Sequence, residues 1–127
     1  MSGIDPRTGP KLAALGELSR SAQTLHALTE QFATARSHED QFAQQLKRRY
    51  GHFKRNLMGA GFDQLAQLAG SMETAAGRSG SQRTKARILR EGMASIRFQL
   101  EMEEHALRES GEKHADEDAA LEGKSGG

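Results

Sequence analysis

Residues 44–55 read Gln-Gln-Leu-Lys-Arg-Arg-Tyr-Gly-His-Phe-Lys-Arg, and this stretch combines a helical periodicity with the densest positive charge of the chain. On an α-helix, Leu46, Tyr50 and Phe53 fall on one stripe, which Leu57 continues. The lysines and arginines between them lie mainly on the other faces. The stretch therefore predicts an amphipathic helix with one side in a core and a charged side in solvent.

The residue types of the whole chain favour helices over strands. The sequence has 127 residues, of which 35% are hydrophobic and only 5% aromatic, with no tryptophan. Valine is absent, and isoleucine occurs only as Ile4, Ile88 and Ile96, so the aliphatic β-branched residues that favour strands are scarce. A chain of this length forms one domain, and its leucine, alanine and methionine content is typical of a helical bundle. We therefore expect an all-α protein.

The first two helices are predicted from apolar spacing and from a capping pattern. After a flexible segment at residues 1–9, apolar side chains recur every three or four positions over residues 11–36. Ser37 is followed three residues later by Asp40, an arrangement that satisfies free amides at the start of a helix. We therefore expect a long first helix and a second helix that begins at Ser37.

Glycine-rich segments separate the later helices. Gly59-Ala60-Gly61 predicts a break after the second helix, although the same residues allow one bent helix that continues into residues 62–76. The polar turn at residues 77–81 then precedes a fourth helix over residues 82–109. Four amphipathic helices with short connections predict an antiparallel four-helix bundle, or a short helical coiled-coil domain, over residues 10–110.

The end of the chain differs in composition from the helical part. After Ser110 the sequence is rich in glycine, alanine and charged residues. We expect residues 111–127 to form a disordered acidic tail. Within the bundle, the helices differ in length, and the first and fourth carry wide apolar faces. A homodimer across these two helices is predicted to cover them.

Charge is strongly segregated along the chain, although the net charge is only +1. Residues 47–55 contain five basic and no acidic side chains, residues 78–97 six basic and one acidic, and residues 101–122 nine acidic and two basic. In a bundle, the second helix and the start of the fourth can share one side, so the sequence predicts one merged basic patch. Its members are Lys47, Arg48, Arg49, Lys54, Arg55, Arg83, Lys85, Arg87 and Arg90.

This basic patch has several interpretations. It is a solvated helix face balanced by Glu101, Glu103 and Glu104 of a neighbouring helix or subunit, or it carries the contact to a protein partner. As the alternative it binds the phosphates of DNA or RNA, and an acidic lipid is a further candidate ligand. Tyr50 and Phe53 lie on the apolar stripe and are predicted to be core residues, not surfaces on which bases stack. Residues 62–76 imitate the recognition helix of a helix-turn-helix, but they contain no arginine or lysine, which argues against that motif.

Catalytic and metal sites have little support in the sequence. The chain has no cysteine and no glycine-rich phosphate loop. The Glu-x-x-His motif of di-iron bundles is absent, because Gln23 and Met102 stand three positions before His26 and His105. A mononuclear site built from His26, Glu30 and His105 is disfavoured, because scattered histidines usually lie on the surface. We expect no enzyme activity, no metal and no cofactor.

The sequence also bears on location. No run of uncharged residues approaches the length that spans a bilayer, and residues 1–10 lack the basic start and apolar block of a secretory signal. The second helix has the basic and apolar faces of an interfacial membrane helix, but the bundle accounts for both faces as well. We therefore expect a cytoplasmic protein–protein interaction or assembly module that binds itself and another protein, without membrane insertion.

Overall fold

The computed structural model describes residues 8–126, with side chains described from Gly9 to Ser110, and over that range it contains four α-helices and no strands. The helices are α1 (Thr8–Thr34), α2 (Glu39–Gly59), α3 (Asp63–Gly77) and α4 (Gln82–Gly126). The prediction of an all-α protein with four helices is therefore confirmed.

The four helices pack as a bundle in which each helix has two main neighbours. Helix α1 packs against α2 and α4, and α3 packs against the same two helices. The connections at residues 35–38, 60–62 and 78–81 are short, so each helix runs antiparallel to the one before it. As a result, α2 and α4 stand at opposite corners of the bundle.

The core is one continuous cluster to which all four helices contribute. Helix α2 supplies Leu46, Tyr50, Phe53 and Leu57, the stripe predicted from the sequence, and each is at most 2% exposed. Opposite them lie leucines of α1, alanines of α3 and the α4 residues Leu89, Met93, Ile96 and Leu100. The prediction that Tyr50 and Phe53 belong to the core is confirmed.

A buried polar pair ties α1 to α2 at the centre of this core. The hydroxyl of Thr29 donates to the carbonyl oxygen of Leu25 at 2.7 Å and lies 2.6 Å from the hydroxyl of Tyr50. Because the single proton of Thr29 is used for Leu25, the Tyr50 hydroxyl is the donor between the two side chains. Both hydroxyls are therefore satisfied although both residues are fully buried.

The glycine-rich break separates α2 from α3, so the two are not one bent helix. The amide of Phe62 donates to the carbonyl of Leu57 at 2.9 Å, and the amide of Gly61 donates to that of Met58 at 3.1 Å. Gly61 has a φ of 87°, which a residue with a Cβ rarely adopts. This pair of hydrogen bonds around a left-handed glycine is the Schellman motif that ends helices.

The start of α2 differs from the predicted capping by Ser37. The residue before the helix is His38, whose φ of 61° is left-handed, and no side chain caps the free amides. The Gln82 side chain instead donates to the carbonyls of Phe32 and Ala35, both at 2.7 Å. Two hydrogen bonds from a distant helix thus satisfy carbonyls at the end of α1, whereas no side chain caps the start of α2.

Both outer ends of the bundle differ from the predicted bounds. Helix α1 begins at Thr8, and the rest of the predicted flexible segment, residues 1–7, lies outside the described residues. Helix α4 continues to Gly126 instead of ending near Glu109. The alanine, glutamate and lysine content of this stretch is compatible with a helix. The side chains of residues 111–127 are not described. The disorder of this acidic tail therefore stays a prediction.

Gly92 allows α4 to approach α3 closely. A Cβ atom at position 92 would lie 2.6 Å from the sulfur of Met72, which is itself 2% exposed and surrounded by core residues. By helix propensity alone, alanine at this position would stabilise α4 by about 1 kcal/mol. The contact reverses that expectation because the added methyl group overpacks the core.

We therefore expect Gly92→Ala to lower the free energy of unfolding by about 1 kcal/mol, because overpacking against Met72 outweighs the higher helix propensity of alanine. Gly16→Ala is the matched control, because the only atom near a Cβ there is a terminal nitrogen of Arg20 at 3.9 Å. The control should gain stability by up to about 1 kcal/mol. Urea denaturation followed by circular dichroism measures both changes, and a gain in both variants would contradict the close-packing explanation.

Candidate functional site

The nine basic residues of the predicted patch come from two helices that do not pack directly on each other. Five of them lie on α2 and four on α4, and these helices occupy opposite corners of the bundle. The prediction of one merged patch assumed that α2 and α4 share one side. In the antiparallel arrangement both pack on α1 and α3 instead.

Two of the basic residues on α2 are directed towards α3. The stems of Lys54 and Lys47 pass beside Gly70 and Gly77, so closely that a Cβ atom at either glycine would contact them. Lys54 is accordingly half-buried. These lysines cover the small residues through which α2 and α3 approach each other, which is a packing role for their aliphatic stems.

The remaining cations of α2 point into solvent. Arg48, Arg49 and Arg55 are exposed, as is His52, and among the described side chains none of them forms an ion pair. Gln45, Arg48, Arg49 and His52 line a shallow surface depression of about 430 Å³. We call Gln41, Gln45, Arg48, His52 and Arg55 the α2 outer face, since their spacing of four, three, four and three residues aligns them along the helix.

On α4, two of the predicted basic residues are engaged within the fold. The guanidinium of Arg90 donates to both carboxylate oxygens of Glu30, at 2.9 and 2.7 Å. The hydrogen bond from Arg90 holds the pKa of Glu30 below its usual value, and the same bond raises the pKa of Arg90. The ammonium of Lys85 lies 3.5 Å from the carbonyl of Ala76 at the end of α3. Both contacts are made within the chain, and the Arg90–Glu30 pair lies at the surface, with 47% and 39% of the two side chains exposed.

A row of exposed apolar side chains on α4 was not recognised in the sequence as a separate surface. Ile88, Phe98 and Met102 are 42%, 62% and 54% exposed, whereas Leu89 and Leu100 on the opposite side are buried. We call these three residues the α4 outer row. The signal in the sequence is their spacing, which with Ser95 is seven, three and four residues and therefore follows one face of a helix.

Helix α1 lacks a comparable surface. Among the described residues, the exposed large apolar side chains are Met58 on α2 and the α4 outer row, and none belongs to α1. The leucines of α1 face the core or, like Leu28, pack at its edge. Among the described residues, the predicted wide apolar face of α1 is therefore covered by the core, whereas α4 keeps three large apolar side chains exposed. The predicted homodimer itself stays a prediction.

The residues weighed for a metal site are not brought together. Glu30 is held by Arg90, and the Nε2 atom of His105 lies 3.1 Å from a carboxylate oxygen of Glu109 on the outside of α4. The buried Nδ1 atom of His26 has no hydrogen-bond partner among the described residues. No group of three or more histidine, aspartate or glutamate side chains within the described part of the chain has a geometry suited to a metal ion.

A surface groove of about 680 Å³ runs between α2 and α3 and has no nucleophile aligned with a base. Its hydroxyls are used locally: Ser71 donates to the carbonyl of Gln67 at 3.2 Å, and Thr74 donates to that of Gly70 at 3.0 Å. The charged groups Lys54, Asp63 and Glu73 line its rim. This arrangement has the chemistry of a polar surface between packed helices.

Within residues 8–126, no helix is both long enough and apolar enough to cross a bilayer. Comparisons with protein-family models, with curated proteins and with solved structures found no match. The function is therefore inferred from the residues of this chain alone.

Proposed function

We propose that the chain is a helical protein–protein interaction module that self-associates through the α4 outer row. The observation that carries this proposal is the exposure of Ile88, Phe98 and Met102 on a helix whose other side completes the core. Covering apolar surface is favourable by about 25 cal/mol per Å², and rows of large apolar side chains on soluble helices typically mark interfaces.

The charge distribution of α4 supports a second copy of the chain as the partner. Residues 83–97 of this helix carry five cations against one carboxylate, whereas residues 101–109 carry four carboxylates against one arginine. Two parallel copies would place like charges side by side, which is unfavourable. Two antiparallel copies place the basic half of each α4 against the acidic half of the other.

An antiparallel arrangement also matches the apolar residues. With a two-fold axis near residue 94, Ile88 of one copy lies opposite the gap between Phe98 and Met102 of the second copy. The same register brings Arg87 opposite Glu101 of the second copy. Ser95 and Glu91 lie near the centre, and polar groups within a helical seam restrict it to one register at some cost in stability.

Size-exclusion chromatography with light scattering tests this proposal on the full chain, whose monomer mass is 13.9 kDa. We expect a dimer, and Met102→Lys should weaken it at least tenfold, which corresponds to about 1.4 kcal/mol. Met58→Lys is the matched control, because Met58 is 55% exposed, as Met102 is 54% exposed, but lies on α2. A monomeric unmodified protein, or equal weakening by both substitutions, would overturn the proposal.

Exchange of charges tests the antiparallel orientation. Arg87→Glu should weaken the dimer, since it places two carboxylates opposite each other, and Glu101→Arg in the same chain should restore it. If the second substitution does not restore the dimer, the two residues do not face each other.

A further inference from the structure

We propose that the α2 outer face binds duplex DNA, as an activity separate from self-association through α4. The first observation is the absence of negative charge from this helix face. No aspartate or glutamate occurs in residues 41–62, and the exposed cations Arg48, Arg49 and Arg55 form no ion pair among the described side chains. Uncompensated cations in a row attract a polymer of phosphates through counterion release.

The second observation is the chemistry of the neighbouring residues on this face. Gln41, Gln45, Arg48, His52 and Arg55 align on the outside of α2 and end in amides, an imidazole or guanidinium groups. Glutamine and arginine make the paired hydrogen bonds that distinguish adenine and guanine in the major groove. A surface that contacts only acidic protein side chains does not require the amides of Gln41 and Gln45.

The third observation is the polarity of the groove between α2 and α1. Ser21 and Thr24 of α1 line it together with Arg49, His52 and Asn56 of α2, and no carboxylate takes part. Hydroxyls, amides and guanidinium groups are the usual side-chain contacts to DNA phosphates. Along the other flank of α2, the groove with α3 contains Asp63 and Glu73, which repel phosphate. The duplex is therefore expected to lie towards α1.

The shape of α2 favours a B-form duplex over other nucleic acids. Its 21 residues form a rod about 31 Å long at a corner of the bundle, open to solvent on two sides. The major groove of B-DNA is wide enough for an α-helix, whereas that of A-form RNA is too narrow. Binding of single strands relies on exposed aromatic rings, and Tyr50 and Phe53 on this helix are buried.

The test measures binding of the full chain to a labelled duplex of about 20 base pairs by fluorescence anisotropy. We expect binding at about 50 mM salt. The logarithm of the affinity should fall linearly as the logarithm of the salt concentration rises. Arg48→Gln combined with Arg55→Gln should weaken binding at least tenfold and reduce the salt slope by about two. Failure of the unmodified protein to bind the duplex at low salt would overturn the proposal.

A control pair removes the same charge from the opposite corner of the bundle. Arg83→Gln combined with Arg97→Gln also deletes two exposed arginines, but on α4. This pair should leave DNA affinity within about twofold, the error of a typical titration, once light scattering has shown equal oligomeric states. Equal weakening by both pairs would indicate attraction by net charge and would overturn the assignment to α2.

Competition experiments distinguish duplex DNA from other anionic partners. Single-stranded DNA, duplex RNA and polyglutamate are added at equal charge concentration. We expect the unlabelled DNA duplex to compete best. If polyglutamate competes as well as DNA, the face recognises acidic protein and the DNA proposal fails. If single strands or duplex RNA compete better, the major-groove geometry is wrong.

Discussion

Replacing Phe53 by alanine is expected to lower the free energy of unfolding by about 3–5 kcal/mol. The ring of Phe53 is 2% exposed and lies within the continuous core formed by all four helices. Truncation removes its buried apolar surface and leaves a cavity that the neighbouring helices cannot fully close. Since domains of this size are stable by about 5–15 kcal/mol, a loss of this size is a large share of the total.

Phe98→Ala is the matched control, because Phe98 is the same residue type but 62% exposed. It should change the stability of the monomer by no more than about 0.5 kcal/mol, while weakening the proposed dimer. Urea denaturation, at a protein concentration too low for dimerisation, measures both variants. If Phe53→Ala does not fold, Phe53→Leu replaces it, and it should still lose more stability than Phe98→Ala. A loss at Phe53 no larger than that at Phe98 would show that the core is assigned to the wrong face of α2.

Raising the pH from 10 to 12 is expected to destabilise the protein by about 2 kcal/mol through Tyr50 alone. Burial raises the pKa of Tyr50 to about 12 from its ordinary value of 10. In the unfolded chain the phenol ionises near pH 10, whereas in the folded chain it stays neutral to about pH 12. Its stabilising contribution is therefore complete below pH 10 and is lost as the pH rises to 12.

This titration can be observed directly, because Tyr50 is the only tyrosine and the chain has no tryptophan. The near-ultraviolet absorbance of tyrosinate should report an ionisation near pH 12 in the folded protein and near pH 10 in urea. Tyr50→Phe serves as the control, since it removes the phenol and keeps every other titratable group. An ionisation near pH 10 in the folded protein would mean that Tyr50 is accessible to water.

The helices and the core could be predicted from the sequence because both depend on local spacing. Leu46, Tyr50 and Phe53 recur with the period of a helix, so their common side had to face apolar neighbours. The end of α2 was predictable for a similar reason, as Gly61 can take a left-handed conformation that residues with a Cβ rarely adopt. The turn before α2 was not, because no side chain caps the start of α2 and the end of α1 is held by Gln82, nearly fifty residues away.

The candidate surfaces depended more on long-range packing. Sequence analysis assigned a wide apolar face to α4, but the neighbouring helices cover only the side with Leu89 and Leu100, so Met102 remains exposed. It likewise grouped Arg90 with a binding patch, whereas Glu30 of α1 holds that guanidinium. Neither the width of the covered side nor the partner of a charge is encoded in local periodicity.

The sequence by itself determined that this protein is helical, where its helices break and which residues of α2 are buried. These properties follow from the periodicity of apolar residues and from the conformational freedom of glycine. Only the tertiary structure decided which helices are neighbours. By placing α2 and α4 at opposite corners, it distributed the basic residues over two helices that do not pack on each other, and it left the α4 outer row uncovered. The physical reason is that neighbour choice is set by packing among all four helices, which no single segment specifies.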